Sequence, residues 1–273
     1  MFKLSHKKKN SLLYDSFKIR EEIIDIAASR TGCHIGGSLS SVELLNCAFE
    51  LYGNKKNSQI ILSKGHAAAA LYATLFIKKI INEKPSKNYG LKGSLLLGHP
   101  NNKISAIPYA TGSLGHGIGY GAGWALGQRL IGSEGISIVI GGDGELQEGS
   151  VWEALQVISS KKINNIMYFI DKNNAQNDGY ISQISPYYDL KSRFKSFGFQ
   201  IFDIDGHDID QIYDTYQKKS KKSATIVIAN TIKAKGIKVM ENNPKSHYAK
   251  LDINQKERWK KQLRFNYEKS IIN

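Results

Sequence analysis

Apolar residues run along this chain in two rhythms. Five short runs are nearly continuous: SQIILS at 58–63, ISIVIGG at 136–142, NNIMYFID at 164–171, FQIFDIDG at 199–206 and ATIVIANTI at 224–232. Between them, apolar positions recur every three or four residues, which predicts helices over 11–29, 40–52, 65–80, 117–131, 150–161, 189–198 and 209–221. β-Branched runs without polar alternation belong to strands covered on both faces. Strands and helices that alternate in this way predict an α/β fold: a doubly wound, mainly parallel sheet flanked by helices. No linker, repeat or low-complexity tract interrupts 1–273, so a single domain is expected. It begins with an N-terminal helical segment, 1–30, and ends in a charged helical tail, 251–273. The stretch 91–117 is glycine-punctuated and reads as loop, and the small-residue helix GIGYGAGWALGQRLI after it must pack closely. In such sheets ligands sit beyond the carboxyl ends of the strands, which points to the loops after 63, 140, 170, 204 and 231.

Composition narrows the classes. At 41% hydrophobic and 10% aromatic the 273 residues can bury a core. The net charge of +14 comes mostly from lysines scattered in pairs and triplets, and only six basic residues are arginine. No aromatic–basic interleaving of the kind that stacks bases accompanies them, so a solvated surface is favoured over nucleic acid. Cys33 and Cys47 are the only cysteines, which fits a reducing, cytoplasmic setting without disulfides. No apolar stretch reaches bilayer length, and Asp, Arg and Glu among the early apolar residues rule out a signal-peptide core there.

Chemistry gathers at two strand ends. GGDGE at 141–145 and DKNNAQNDG at 171–179 place Asp143 and Asn173 one strand–helix–strand unit apart, at the same sheet edge. A carboxylate and an amide oxygen are hard ligands suited to Mg²⁺ or Ca²⁺, too few to hold a cation alone but sufficient if a diphosphate completes the shell. Gly142 and Gly144 would let a phosphate approach. Five of the seven histidines (His34, His66, His99, His116 and His247) lie in glycine-rich or loop-like segments that can converge on one cleft. Zinc is disfavoured, because no His or Cys pair stands at the short separation of zinc ligands.

The GDG…N pair resembles the signature of thiamine diphosphate enzymes, and further motifs resemble one of their families. CHIGGSLSSVELL (33–45), LSKGHAAAALYATL (62–75), LLGHP (96–100), TGSLGHGIG (111–119), GDGELQEGSVWEA (142–154) and MENNPKSH (240–247) are similar to the N-terminal half of transketolase, the form made as a separate subunit. The likeness runs from about 12 to 250 and departs from the family pattern at Cys33, Ile35, His116 and Ser246. It implies thiamine diphosphate with Mg²⁺, which Ca²⁺ or Mn²⁺ could replace. Asp143, Asn173 and the carbonyl of Ala175 would hold the metal. His66, Gly144, Glu145, Asn173 and His247 would lie against the diphosphate, and Gly112, Ser113 and Leu114 along the cofactor rings. His34, His66, His99 and His247 would surround the reacting carbon of a sugar or sugar phosphate. The implied reaction moves a two-carbon glycolaldehyde unit from a ketose to an aldose.

The family's activating Glu lies on a C-terminal pyrimidine-binding domain, and nothing in this sequence matches it. The resemblance therefore implies a partner subunit carrying that domain, in an α₂β₂ assembly, with helix 117–131 a candidate contact surface. An alpha-type subunit of a 2-oxoacid dehydrogenase or decarboxylase, and a non-catalytic subunit that keeps the cofactor fold, remain alternatives. His116, Glu148, Lys233 and Lys235 have no assigned role, and His207 in DGHD reads as structural.

Overall fold

A computed structural model describes residues 3–187 and 189–272; Met1, Phe2, Tyr188 and Asn273, which fall within the expected 1–273 domain, lie outside the described residues. Five strands form one sheet: β1 (Ser58–Leu62), β2 (Ile136–Gly142), β3 (Ile166–Lys172), β4 (Gln200–Asp205) and β5 (Thr225–Asn230). Every pairing is parallel, and the order is β1-β2-β3-β5-β4. All five continuous runs of the sequence are strands, each within two residues of the expected ends.

The two-faced burial follows from side-chain alternation. In β2, Ile138 and Ile140 enter one apolar cluster while Val139 between them enters the other. Met167 and Phe169 of β3 divide from Tyr168 and Ile170 in the same way. The first face is covered by helices His6–Ala27, Val42–Tyr52, Ala68–Ile77 and Ile209–Gln217. The second is covered by Gly117–Leu130, Gly149–Ser160 and Leu190–Lys195. Close packing of the small-residue helix has an identifiable cause: a Cβ on Gly121 would stand 2.5 Å from Val139 Cγ2. A methyl there would push the helix off the sheet.

Two segments add to the sequence reading. Ile35–Ser40, between the helices expected over 11–29 and 40–52, is a short buried helix. The charged tail is the helix Ile253–Ile272, and it is docked rather than free. Trp259 and Leu263 are buried in the first cluster, and Tyr267 stacks on Phe17 of the first helix at 4.9 Å. Lys256 and Lys260 pair with Asp25 at 3.0 and 3.1 Å. The tail's charge is on its outer face, and its apolar residues close the core.

Candidate active site

The carboxyl ends of β1, β2, β3 and β5 open towards one cavity of about 340 Å³. Its lining includes His66, Gly112, Leu114, Asp143, Gly144, Glu145, Asn173, Ala175 and His247. Ser113 is exposed and outside the lining, as is His116, whose ring meets Tyr120. His34 and His99 join through ring contacts. His34 lies 5.9 Å from His66, 6.0 Å from His99 and 5.1 Å from His247, and His66 lies 5.3 Å from His247. Four histidines from four separate loops thus meet at one wall.

Local geometry explains each position. His66 sits in the one-turn helix Gly65–Ala67 directly after β1. Gly65 lets that turn touch the next loop, since a Cβ there would meet Gly112 N at 2.8 Å. His247 ends the turn Pro244–His247, which the Asn243 side chain caps at Lys245 N. Asp143 starts a short helix after β2, and its carboxylate accepts from the backbone N–H groups of Gly144 and Asn174. The bond from Asn174 ties the loop after β2 to the loop after β3. Asn173 Oδ1 accepts from Ala175 N at 3.2 Å.

Charges under the cavity are buried. Lys64, one residue before the Gly65–Ala67 turn, donates to the carbonyl of Gly37 at 3.1 Å and to the Asp171 carboxylate. Asp171 also accepts from Ser40 (2.6 Å) and Thr231, and Ser41 Oγ lies 2.9 Å from it. Lys233 is buried, lines the cavity, and donates to the carbonyls of Gln176 (2.9 Å) and Pro244 (3.1 Å). Surface charge, one of the readings open for Lys233, is therefore excluded. Glu145 accepts from Ser63 Oγ, Gly115 N and Gly142 N at 2.7–2.9 Å, so its carboxylate clamps three loops together. Glu148 lines the rim and is exposed.

These surroundings set the protonation states. Burial, then repulsion from Asp171, pushes the Asp143 carboxyl up to about 7. Burial, then Lys64, holds His66 well below the usual histidine range. Burial, then Lys233, lowers His247 to about 4, and burial with His99 lowers His34. At neutral pH these three rings are uncharged, each with one N–H to donate and one nitrogen to accept. Burial, then Lys64, brings Lys233 down to about 8.

The donors fit a diphosphate with a hard divalent cation. Among the described residues no cluster of three or more His, Cys, Asp or Glu side chains is placed for a metal. At the strand ends the lining offers the Asp143 carboxylate and the Asn173 amide oxygen, a pair suited to Mg²⁺ with phosphate oxygens completing the shell. Lys64 and Lys233 add positive charge at the wall. His34 Nδ1 is buried without a partner in the protein, a polar atom a ligand would satisfy. Gly37 keeps the wall open, because a Cβ there would stand 3.0 Å from His66 Nε2 and 3.4 Å from Lys64 Nζ.

A parallel sheet of this order, with its cavity at the carboxyl edge, is a doubly wound α/β fold, and solved transketolases share it. The family model described as "Transketolase, thiamine diphosphate binding domain" matches residues 18–272. The chain belongs to the transketolase family, a family of transferases. It is 30% identical over 248 residues to an apulose-4-phosphate transketolase subunit of Phocaeicola vulgatus, covering 87% of this chain and 88% of that one. It is 33% identical over 238 residues to the 6-deoxy-6-sulfo-D-fructose transketolase subunit SqwG of a Clostridium species, covering 83% and 86%. The crystal structure of transketolase from Campylobacter jejuni superposes with a TM-score of 0.81 at 27% identity. That match covers 93% of this chain and 42% of the other, so this chain spans less than half of the solved transketolase.

Gly37, Lys64, Asp171 and Gln176 were not singled out from sequence. A signal exists for two of them. Lys64 is the first charge after the apolar run of β1, and Asp171 the last acidic residue of the run of β3. Charges at the carboxyl ends of buried strands face the cavity by topology alone.

Proposed function

We propose that this chain is the diphosphate-binding subunit of a two-subunit, Mg²⁺-dependent transketolase, active with a partner that carries the pyrimidine-binding domain. The observation that carries the reading is the meeting of Asp143, Asn173 and four histidines around one cavity at the carboxyl edge of the sheet. Residues 1–273 would form one diphosphate-binding domain acting in the cytoplasm. Asp143, Asn173 and the Ala175 carbonyl would hold Mg²⁺. His66, Gly144, Glu145 and His247 would lie against the diphosphate, and Gly112, Ser113 and Leu114 along the rings.

Thiamine diphosphate, when bound, supplies the carbanion chemistry that cleaves and re-forms the ketose carbon–carbon bond. The protein's share is binding, orientation and proton movement. Neutral His34, His66 and His247, with His99, can donate hydrogen bonds to an oxygen that gains charge and pass protons to sugar hydroxyls. Burial of Lys64 and Lys233 strengthens their attraction for phosphate. The Gly117–Leu130 helix offers a face for the partner: beyond Gly119, Gly123 and Gly127 there is open space, and Leu130 and Ile131 are 79% and 75% exposed. An α₂β₂ assembly would bury that face.

Calorimetric titration of thiamine diphosphate, with Mg²⁺ and with EDTA, tests the reading. Asp143→Ala is expected to weaken cofactor binding at least about 100-fold, since losing even an outer partner of a metal ligand costs about 10–100-fold, while the melting temperature changes little. Equal affinity in wild type and variant would overturn the metal assignment. Glycolaldehyde transfer by the purified chain without a partner would overturn the requirement for a second subunit.

A further inference from the structure

A second cavity, of about 450 Å³, shares no lining residue with the first. It opens between the first helix, the last helix and the segment 235–241. Its walls are Leu13 and Phe17 on one side, Leu263 and Tyr267 on the other, with Lys235 and Lys238 at the third. Leu263 and Phe17 are buried, and Phe17 stacks against Tyr267, so the floor is apolar and aromatic.

The charges within it are unequally committed. Arg20 and Glu43 neutralise each other in a buried pair, and Glu43 also meets His207 Nδ1 at 2.9 Å. Glu241 accepts from Gly236 N at 2.8 Å. The Lys235 and Lys238 ammonium groups have no hydrogen bond or ion pair among the described residues, and Glu241 offsets only one of them. An apolar hollow of this size with uncommitted cations on one wall is complementary to a small anion with a flat apolar body. Lys235 is half-buried, so its charge is less screened than that of the scattered surface lysines.

We infer that this cavity is a second ligand site, for a small molecule bearing a phosphate or carboxylate on an aromatic or apolar body. Lys235 and Lys238 hold the anion, and Phe17, Leu263 and Tyr267 hold the body. The site adjoins the cofactor cavity through one short segment. Lys233 lines the first cavity and Lys235 the second, with Ala234 between them in the left-handed region at φ 59°. The inference does not depend on what the first cavity binds.

Phenyl phosphate is the probe, titrated against the full chain by calorimetry and saturation-transfer NMR, beside inorganic phosphate and benzyl alcohol. One site is expected for phenyl phosphate, with each half-probe at least about tenfold weaker, since charge and apolar contact contribute separately. K235Q/K238Q removes the cations and Gln262→Trp fills the hollow. Each should weaken phenyl phosphate at least about tenfold, whereas K221Q/K222Q, an exposed lysine pair elsewhere, should leave it unchanged. None of these positions lines the cofactor cavity, so thiamine diphosphate affinity measured on the same variants separates this inference from the proposed function. Absence of phenyl phosphate binding overturns the site. So does binding that K235Q/K238Q and Q262W leave intact, or that inorganic phosphate matches.

Discussion

Two ion pairs buried among the described residues are built differently. Arg20–Glu43 stands between the first helix and the helix Val42–Tyr52. Its guanidinium meets both carboxylate oxygens and also donates to the carbonyls of Leu39 and Lys235, and His207 shares Glu43 Oε2 with it while the ring's Nε2 accepts from Ile232 N. None of its members lines the active-site cavity, and at the second cavity the pair is already saturated by its own network. Lys64–Asp171 lies under the active-site cavity, and Lys64 itself lines that cavity. A planar guanidinium suits the first place because its rigid fork can saturate a closed network. A lysine suits the second because a compact ammonium can serve Asp171, Gly37 and a ligand on one centre. The first pair is a clamp; the second is a clamp with one side left towards the site.

Removing the acid of each pair separates the two. Asp171→Ala strands a buried ammonium and leaves Ser40 and Thr231 without their charged acceptor. A loss of about 5 kcal/mol in urea unfolding is expected, at the upper end for a broken buried pair, together with loss of cofactor affinity. Glu43→Ala should lose about 3 kcal/mol by the same mechanism, with cofactor affinity within a factor of about three, well under 1 kcal/mol. R20M/E43L, which removes both charges, should recover most of that loss. If Glu43→Ala weakened cofactor binding as much as Asp171→Ala did, the distinction between closed and open pairs would fail.

Acid sharpens the contrast. Burial raises the Glu43 carboxyl, but Arg20 and His207 outweigh it and hold the group far below the ordinary carboxylate range. A folded-state value below the unfolded one means stability present above the unfolded pKa and lost as pH falls beneath it. Below pH 4.5, the ordinary glutamate value, wild type should therefore lose up to about 1.4 kcal/mol per pH unit more than R20M/E43L does. Unfolding curves at pH 5, 4 and 3 measure the difference. Parallel loss in both proteins would show that Glu43 does not carry acid sensitivity.

The same pairs mark what the sequence could disclose. Runs such as ISIVIGG carry their fold openly, because period-two burial on both faces leaves no polar position to mislead. Asp143 and His66 were legible because acid and histidine among glycines are hard to explain as core. Lys64 was harder to pick out in a chain with so many lysines, because beyond its place at the end of β1 only its burial distinguishes it. The helix Ile35–Ser40 has no sequence signal, because Gly36 and Gly37 are poor helix formers and burial is what stabilises it. Glycine propensity is a local preference of about 1 kcal/mol, which tertiary packing overrides.

The smallest effects test the geometry around Asp171. Ser40 and Ser41 each lie within reach of two acceptors, Asp171 and the carbonyl of Gly37, but a hydroxyl has one proton. Ser40 Oγ is 2.6 Å from Asp171 and 3.1 Å from Gly37 O, so its proton belongs to the carboxylate. Ser41 Oγ is 2.9 Å from Asp171 and 2.7 Å from Gly37 O, so its proton belongs to the carbonyl. A hydrogen bond to a charged group is worth about twice a neutral one, about 2 against about 1 kcal/mol. Ser40→Ala should therefore destabilise by about 2 kcal/mol and Ser41→Ala by about 1 kcal/mol in urea unfolding. In a background where Asp171 is replaced by Asn, Ser40→Ala should shrink towards the neutral value while Ser41→Ala stays put. Equal losses in both backgrounds would mean that the two protons are shared, and that the carboxylate is held by the lysine and Thr231 alone.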